Sequence, residues 1–254
     1  MNTEYNREFQ EYLTVHAGKS SEKIMGIVCA WFHPESIVDF GCGVGDFLAS
    51  GKKSIEKDGK EAVIMGLDGN YIEKDLLKID AKSEFMPVDL STPIELSRRY
   101  DLAMSLEVGE HLDEKDADTF VNNIVAASDI VLFSAALPGQ YGVHHVNERY
   151  ISYWVEKFFD RGYEVYDVIR PIIWWDKDID LDYRQNTVIF IKRGNSAAQV
   201  LEGLESKIID IAHPEFLEGR TKAWRFWQDR VDGLIKKHPI LSRWLKKIWR
   251  RIKK

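Results

Sequence analysis

Apolar and polar residues alternate along this chain in blocks that predict strands and helices in turn. Short apolar runs that predict strands lie at residues 36–40, 62–68, 84–89, 100–106, 129–137, 163–172 and 186–193. Between these runs, apolar residues recur at helical spacing in segments 47–59, 113–128 and 149–162. Because strands that alternate with helices form a parallel sheet covered by helices, the pattern predicts an α/β domain.

The order of these elements also predicts the domain organisation. Residues 1–30 precede the first strand and are expected to form a helical lead-in. Strand-like runs end near Gly194, so residues 31–194 are expected to form the sheet domain and residues 195–254 a helical extension. Segment 174–186 is acidic and aromatic and lies between the last two predicted strands. It is interpreted either as a lid or as a solvated hairpin loop.

The composition is that of an ordinary soluble protein. The chain has 254 residues, of which 44% are hydrophobic and 30% are charged. The sequence contains no run of about 18 apolar residues, so no membrane span is predicted. The polar N-terminus does not resemble a signal peptide. The two cysteines, Cys29 and Cys42, form no disulfide framework and match no zinc-site spacing. These features favour a cytoplasmic location.

Charge is distributed unevenly between the body of the chain and its C-terminal tail. From Gly233 to the end there are nine Lys and Arg and no Asp or Glu. Because the whole chain carries −6, residues 1–232 carry −15. An acidic body argues against nucleic-acid binding, which depends on clustered basic side chains. On a helix, Leu241, Trp244 and Ile248 would lie opposite the basic residues of the tail, as in helices that bind anionic membrane surfaces, here the inner membrane face. A helix packed on the acidic body is the alternative.

A glycine-rich motif, DFGCGVGDF at residues 39–47, follows the first predicted strand. A Walker loop needs a Lys after its last glycine, and this motif contains no Lys or Arg. A dinucleotide-binding fingerprint needs a third glycine at the position of Asp46. The pattern that remains is Asp39-x-Gly41-x-Gly43-x-Gly45.

This pattern resembles the first motif of class I S-adenosylmethionine-dependent methyltransferases. The resemblance implies a Rossmann-like, seven-stranded and mostly parallel sheet flanked by helices, followed here by a C-terminal helical extension. It also implies S-adenosyl-L-methionine as the cofactor, bound by Asp39 and the three glycines. The residues agree with this ligand, because it has no phosphate and carries a sulfonium and an ammonium group, and because glycines let the backbone approach it closely.

Two later acids stand where the same family binds this cofactor. Asp68 ends the second predicted strand, where the family binds the ribose hydroxyls with a carboxylate. Asp89 follows the third strand, where the family contacts the adenine amino group. Asp68 could instead form a turn before Gly69, and Asp89 could cap a helix. Their order after the glycine motif favours the cofactor site.

Candidate catalytic residues follow the fourth and fifth predicted strands. Glu107, Glu110 and His111 are spaced so that one helical turn would place them on one face. His145 lies in a glycine-rich loop after the fifth strand, and in this fold both strand ends open toward the cofactor. The four residues resemble the metal-binding pattern of small-RNA 2′-O-methyltransferases, and the first three resemble ubiquinone-pathway O-methyltransferases. They predict a site for a divalent metal, Mg²⁺ or Mn²⁺, that would lower the pKa of a substrate hydroxyl.

These residues also allow other roles. His111 could act alone as a general base, and Glu110 could cap the following helix. The expected function is methyl transfer to an oxygen of a small-molecule, lipid-borne or saccharide acceptor, with Glu110, His111 and His145 as catalytic residues. The alternatives are a metal-dependent RNA 2′-O-methyltransferase and a non-catalytic membrane-surface protein that keeps the fold. The acidic body counts against RNA, and the intact glycine motif counts against a non-catalytic protein.

Overall fold

The structure, a computed structural model, describes residues 7–57, 59–204 and 209–237. The chain divides into two compact units, Met1–Ile211 and Ala212–Lys254. Residues 238–254, which carry most of the predicted basic amphipathic tail, lie outside the described residues. None of the described helices is long and apolar enough to cross a membrane.

The first unit is built on a seven-stranded sheet. Its strands are β1 Ser36–Phe40, β2 Val63–Asp68, β3 Phe85–Pro87, β4 Leu102–Leu106, β5 Ile130–Ser134, β6 Tyr163–Tyr166 and β7 Val188–Lys192. They lie in the order β3-β2-β1-β4-β5-β7-β6. The first five strands pair in parallel, and β7 runs antiparallel to both β5 and β6. The predicted seven-stranded, mostly parallel sheet is therefore confirmed.

Helices connect the strands and continue beyond the sheet. The described α-helices are α1 Arg7–Phe32, α2 Asp46–Lys57, α3 Ala117–Ala127, α4 Ile151–Asp160, α5 Ile169–Ile173, α6 Leu181–Asn186 and α7 Pro214–Lys237. Short 3-10 helices lie at Gly109–His111, Glu114–Asp116 and Ser196–Leu201. Helix α7 belongs to the second unit, and the predicted helical character beyond the sheet is confirmed for its described residues.

The sheet has a hydrophobic core on each face, because successive side chains of a strand point to opposite sides. Ile37 and Leu132 pack on one face with residues of α1 and α2. Val38 and Phe133, the next residues along β1 and β5, pack on the other face with residues of α3 and α4. Burial on both faces explains why these strands read as continuous apolar runs in the sequence.

Part of the predicted strand 163–172 is helical instead. Strand β6 ends at Tyr166, and α5 begins at Ile169. The buried Arg170 guanidinium donates to the Asp167 carboxylate at 2.7 Å and to the backbone oxygen of Ile209 at 2.9 Å. These contacts favour the helix over a longer strand at this position. Local sequence could not indicate them, because Ile209 is distant in sequence from Arg170.

The structure of segment 174–186 contradicts one of its two interpretations, the solvated hairpin loop. Its last six residues form α6, with the Asp180 carboxylate accepting from the Asp182 backbone N–H at 3.1 Å as the N-cap. Arg184 and Asn186 are buried. A solvated hairpin loop is therefore wrong for this part of the segment.

The first unit extends past the boundary predicted near Gly194. Leu201, on the 3-10 helix Ser196–Leu201, is fully buried in the core that includes α1. Ile24 and Met25 of α1 belong to the same core. The described residues of the lead-in, residues 195–204 and residues 209–211 are consequently parts of the sheet unit.

The packing around Gly109 generates a stability prediction. A Cβ at Gly109 would lie 2.7 Å from the Trp154 ring, which is fully buried against Phe133 at a centroid distance of 5.3 Å. Gly109→Ala should therefore lower the free energy of unfolding by about 1–3 kcal/mol in urea denaturation. Gly26→Ala is the control, because a Cβ there meets nothing within 4 Å and alanine favours the helix. Equal stability of the two variants would contradict the prediction.

Candidate functional site

A cavity of about 1080 Å³ opens at the edge of the sheet where β1, β2 and β4 end. This edge receives the carboxyl ends of parallel strands, which is where α/β sheets usually bind ligands. Seven acidic residues line the cavity: Asp39, Asp46, Asp68, Asp89, Glu107, Glu110 and Asp182. No Lys or Arg is among its lining residues in the described part of the chain. The cavity is large enough for two small molecules and suits positively charged groups.

The glycine motif forms a tight loop at the C-terminal end of β1. Gly41, Gly43 and Gly45 have φ values of 88°, 53° and 89°, in the left-handed region that glycine favours. A Cβ at Gly41 would lie 2.3 Å from the Val108 side chain, so this glycine allows the loop to pack on the chain after β4. A Cβ at Gly43 meets nothing within 4 Å, and Gly43 lines the cavity. Gly43 therefore leaves space for a ligand, whereas Gly41 is required by the protein itself.

Asp68 connects the end of β2 to the glycine loop. Its carboxylate accepts hydrogen bonds from the Gly43 N–H at 2.7 Å, the Gly69 N–H at 2.6 Å and the Tyr71 hydroxyl at 2.7 Å. Burial raises the pKa of Asp68, and these three hydrogen bonds oppose that effect. The residue thus forms the turn before Gly69 and also lines the cavity, so the two sequence interpretations are compatible.

Asp39 is a buried carboxylate without full hydrogen bonding. Its side chain is 4% exposed, and Oδ1 has no hydrogen-bond partner among the described residues. Burial, and then the charge of Asp68, raise the pKa of Asp39 to about 7. A cation in the cavity would relieve this unfavourable environment.

Asp89 also lines the cavity and is exposed. Its carboxylate accepts from the Ser91 N–H at 2.9 Å and the Ser91 hydroxyl at 2.6 Å, which lowers its pKa. These bonds stabilise a turn, and Asp89 does not cap a described helix. The alternative of a helix N-cap is therefore wrong, and the adenine contact stays a prediction.

Glu110, His111 and His145 come together beside the cavity. One ligand atom from each lies within 4.8 Å of the others. The 3-10 helix after β4 carries the first two, and the Glu110 backbone oxygen accepts from the Val146 N–H at 2.9 Å and the Asn147 N–H at 3.0 Å. These bonds fix the loop that carries His145 against the end of β4. We call these three residues the Glu-His-His cluster.

The chemistry of the Glu-His-His cluster fits a bound cation. Glu110 is 1% exposed, and neither carboxylate oxygen accepts a well-aligned hydrogen bond from the described residues, although the nearby backbone N–H groups of Glu110 and Ala136 oppose the rise of its pKa. Burial, and then the charge of Glu107, raise the pKa of Glu110 well above its usual range. Burial and the neighbouring His145 lower the pKa of His111 to about 4, so its imidazole is neutral at pH 7. A buried carboxylate without a side-chain partner beside a neutral imidazole is suited to a metal ion.

His145 is oriented by a second carboxylate. Its Nδ1 lies 3.0 Å from Glu148 Oε1, which leaves Nε2 directed to the cluster, 4.0 Å from Glu110 Oε1. The rings of His111 and His145 meet edge to face with centroids 4.8 Å apart. Orientation of one ring nitrogen by a carboxylate is common for metal-binding histidines.

Glu107 lies outside the Glu-His-His cluster. It follows the last residue of β4 and has a left-handed φ of 55°, so it does not share a helical turn with Glu110. Its carboxylate accepts from Asn186 Nδ2 at 3.1 Å and from Gln140 Nε2 at 2.8 Å. The strand ends one residue before Glu107, and this places its side chain toward α6 instead of the two histidines.

Four residues that line or support the cavity were not candidates from the sequence: Gln140, Asp182, Tyr183 and Asn186. Three of them lie on α6, within the acidic and aromatic segment that the sequence analysis noted. Burial, and then the charges of Glu107 and Asp180, raise the pKa of Asp182 to about 7. The segment is attached to α1 by Lys23–Asp176 at 2.7 Å and by the Asp180 N–H to Ser20 hydroxyl bond at 2.9 Å.

Several solved structures with a similar fold are methyltransferases. No family model and no curated protein matches the chain. The methyltransferase domain of bacterial CtHen1-C is 21% identical, with 68% of this chain and 97% of that chain covered and a TM-score of 0.50. An O-methyltransferase family protein from Burkholderia thailandensis is 12% identical, with 74% of this chain and 59% of that chain covered and a TM-score of 0.54. At these identities the similarity shows that the chain has the fold of class I methyltransferases.

The environment of Asp39 generates a pH-dependent stability prediction. Its folded-state pKa of about 7 exceeds the ordinary value of 3.8, so the folded protein keeps a proton that the unfolded chain releases. Stability of the ligand-free protein should therefore fall as pH rises from about 4 to about 7, and stay low above that range. Asp39→Asn should gain about 1 kcal/mol or more over wild type at pH 8 and little at pH 4.5, measured by urea denaturation.

Asp89→Asn is the control for this comparison, because hydrogen bonds from Ser91 lower the pKa of Asp89. A lowered pKa stabilises the folded protein at neutral pH, so this variant should show no gain at pH 8. A gain for Asp39→Asn that is equal at both pH values would show that Asp39 does not titrate in this way.

Proposed function

We propose that this protein transfers the methyl group of S-adenosylmethionine to a hydroxyl oxygen of a small acceptor. The observation that carries the proposal is a glycine loop whose Gly43 faces a cavity lined by acids and, among the described residues, by no Lys or Arg. A nucleotide phosphate would find no basic partner there, whereas a sulfonium and an ammonium group would be stabilised. The fold shared with solved methyltransferases supports the same conclusion.

The proposed donor site extends from Asp89 across Asp68 to the glycine loop. Asp89 would bind the adenine amino group, and Asp68 would accept hydrogen bonds from the ribose hydroxyls. Because the Gly43 and Gly69 backbones already hold Asp68 in place, its carboxylate needs no rearrangement when a ligand binds. Catalysis would come mainly from positioning the acceptor oxygen in line with the methyl carbon and the departing sulfur.

The Glu-His-His cluster is the proposed site of a divalent ion such as Mg²⁺ or Mn²⁺. The Glu110 carboxylate, which has no side-chain hydrogen-bond partner in the described part of the chain, and the neutral His111 imidazole support this assignment. Such an ion would lower the pKa of an acceptor hydroxyl and fix its oxygen. The alternative is that His111 accepts the hydroxyl proton directly. With a pKa of about 4, His111 is a weak base at neutral pH, so this observation favours the metal.

The proposed acceptor is a phenol, a saccharide or another small hydroxyl compound, free or carried on a lipid. An acceptor with many phosphodiester groups, such as RNA, is less compatible with the cavity, since no described Lys or Arg lines it. Tyr141 and Val143 line the cavity and are exposed, so they offer an apolar rim on which a ring could pack.

Donor binding tests the proposal directly. Gly43→Leu should abolish binding of S-adenosylhomocysteine in calorimetry, because its side chain would occupy the donor's space. Gly194→Leu is the matched control: it places the same side chain at another positive φ, with nothing within 4 Å of the new Cβ, outside the cavity lining. Wild type and Gly194→Leu should bind alike. Absence of binding by the wild-type protein would overturn the proposed function.

Metal binding and turnover test the Glu-His-His cluster. The wild-type protein should bind Mn²⁺ in calorimetry, and Glu110→Gln should bind it at least about tenfold more weakly because one ligand loses its charge. Glu114→Gln is the control, since Glu114 is exposed and pairs with Arg149 on the surface. Turnover of a panel of phenols, saccharides and RNA ends should stop in excess EDTA. Full activity in EDTA would reject the metal and leave His111 as the base, and turnover of RNA ends alone would reject the small acceptor.

A further inference from the structure

We infer that α7 and the basic residues that follow it bind the surface of a membrane that contains anionic lipids. An exposed apolar face on α7 and the positive charges beyond that helix support this interaction. It involves none of the residues that line the cavity, and it does not depend on the proposed function.

Large apolar side chains are exposed along one face of α7. Trp224 and Trp227 lie seven and ten residues after Leu217, so these three residues share one face of a helix with about 3.6 residues per turn. They are 49%, 62% and 53% exposed, respectively. The opposite face carries exposed charged residues such as Glu218 and Lys222. We call the three residues the apolar face of α7, and such a surface is suited to an apolar partner.

The residues on this face suit a membrane–water interface. Tryptophan has a large apolar ring and an N–H donor, so it is stable where one end of the side chain is dry and the other is wet. Arg220 is exposed and lies on the same face, between Leu217 and Trp224. Its aliphatic stem can lie along the apolar region while the guanidinium group reaches lipid phosphates. A dry protein groove would instead have to bury this charge.

The chain beyond α7 supplies the positive charge that an anionic surface attracts. From Gly233 to the end the sequence has nine Lys and Arg and no Asp or Glu. Trp244 and Trp249 lie among these basic residues, outside the described part of the chain. Each basic residue near an anionic lipid surface strengthens binding about fivefold. A nucleic acid would attract the same charges, but its phosphate backbone offers no apolar surface to the apolar face of α7.

Sedimentation of the full-length protein with vesicles tests the charge requirement. Wild type should bind vesicles that contain phosphatidylglycerol at least about tenfold more tightly than vesicles of phosphatidylcholine alone. This binding should weaken as NaCl is raised, because salt screens the charges. The triple variant Lys246→Gln, Lys247→Gln and Arg250→Gln should bind the anionic vesicles at least about tenfold more weakly, because three positive charges are lost.

A substitution on α7 tests the apolar requirement. Trp227→Gln should weaken binding to the anionic vesicles about fivefold or more, because the indole ring no longer enters the lipid interface. Trp175→Gln is the matched control, since Trp175 is 66% exposed and belongs to the first unit. This control should change vesicle affinity by less than about twofold. Both substitutions replace exposed side chains, so circular dichroism should show unchanged helix content.

Three results would contradict lipid binding by α7 and the tail. Wild type could sediment with neither kind of vesicle, or with both equally. Trp227→Gln and Trp175→Gln could bind the anionic vesicles equally well. Binding of an RNA oligonucleotide without binding of vesicles would assign the surface to nucleic acid instead. Each of these results would leave donor binding in the cavity, and so the proposed function, unaffected.

Discussion

Three buried carboxylates of the cavity, at Asp39, Glu110 and Asp182, form no ion pair with a Lys or Arg in the described part of the chain, and they govern the chemistry of this edge of the sheet. Asp39, Glu110 and Asp182 all have raised pKa values because the sheet edge removes them from water and places further carboxylates beside them. Such an arrangement is unfavourable in the empty protein and becomes favourable when cations bind. Ligand affinity and ligand-free stability are therefore opposed in this cavity, as is usual where a binding site is prepared before the ligand arrives.

The scaffold keeps these groups in position with neutral donors. Backbone N–H groups of Gly43 and Gly69 hold Asp68, and side-chain amides of Gln140 and Asn186 hold Glu107. A lysine or arginine in these places would neutralise the charge that the ligand is proposed to meet. Lys23 of α1 pairs with Asp176 and attaches the segment that carries α6, and Lys78 pairs with the cavity-lining Asp46.

The fold explains why the proposed donor site and the Glu-His-His cluster lie at one edge of the sheet. Three parallel pairings place the carboxyl ends of β1, β2, β4 and β5 together, so residues that are far apart in sequence approach one cavity. The bond from the Asn147 N–H to the Glu110 backbone oxygen then fixes the loop after β5 against the turn after β4. Methyltransferases with this fold share the sheet, and in this chain the acidic lining and the Glu-His-His cluster support a specific chemistry.

Local signals in the sequence were sufficient to predict the sheet, most helices and the glycine loop. They also predicted the positions of Asp68 and Asp89 at strand ends. These features depend on residues near in sequence: apolar runs, glycines with positive φ, and polar residues after a strand. The sequence pattern also identified Glu110, His111 and His145, which the structure brings within 4.8 Å. Only the tertiary structure separated Glu107 from them, because the left-handed turn after β4 and the amides of Gln140 and Asn186 direct its carboxylate elsewhere. The same holds for α5, α6 and the limit of the first unit at Ile211, since long-range burial and hydrogen bonds, and not local periodicity, decide where these segments lie.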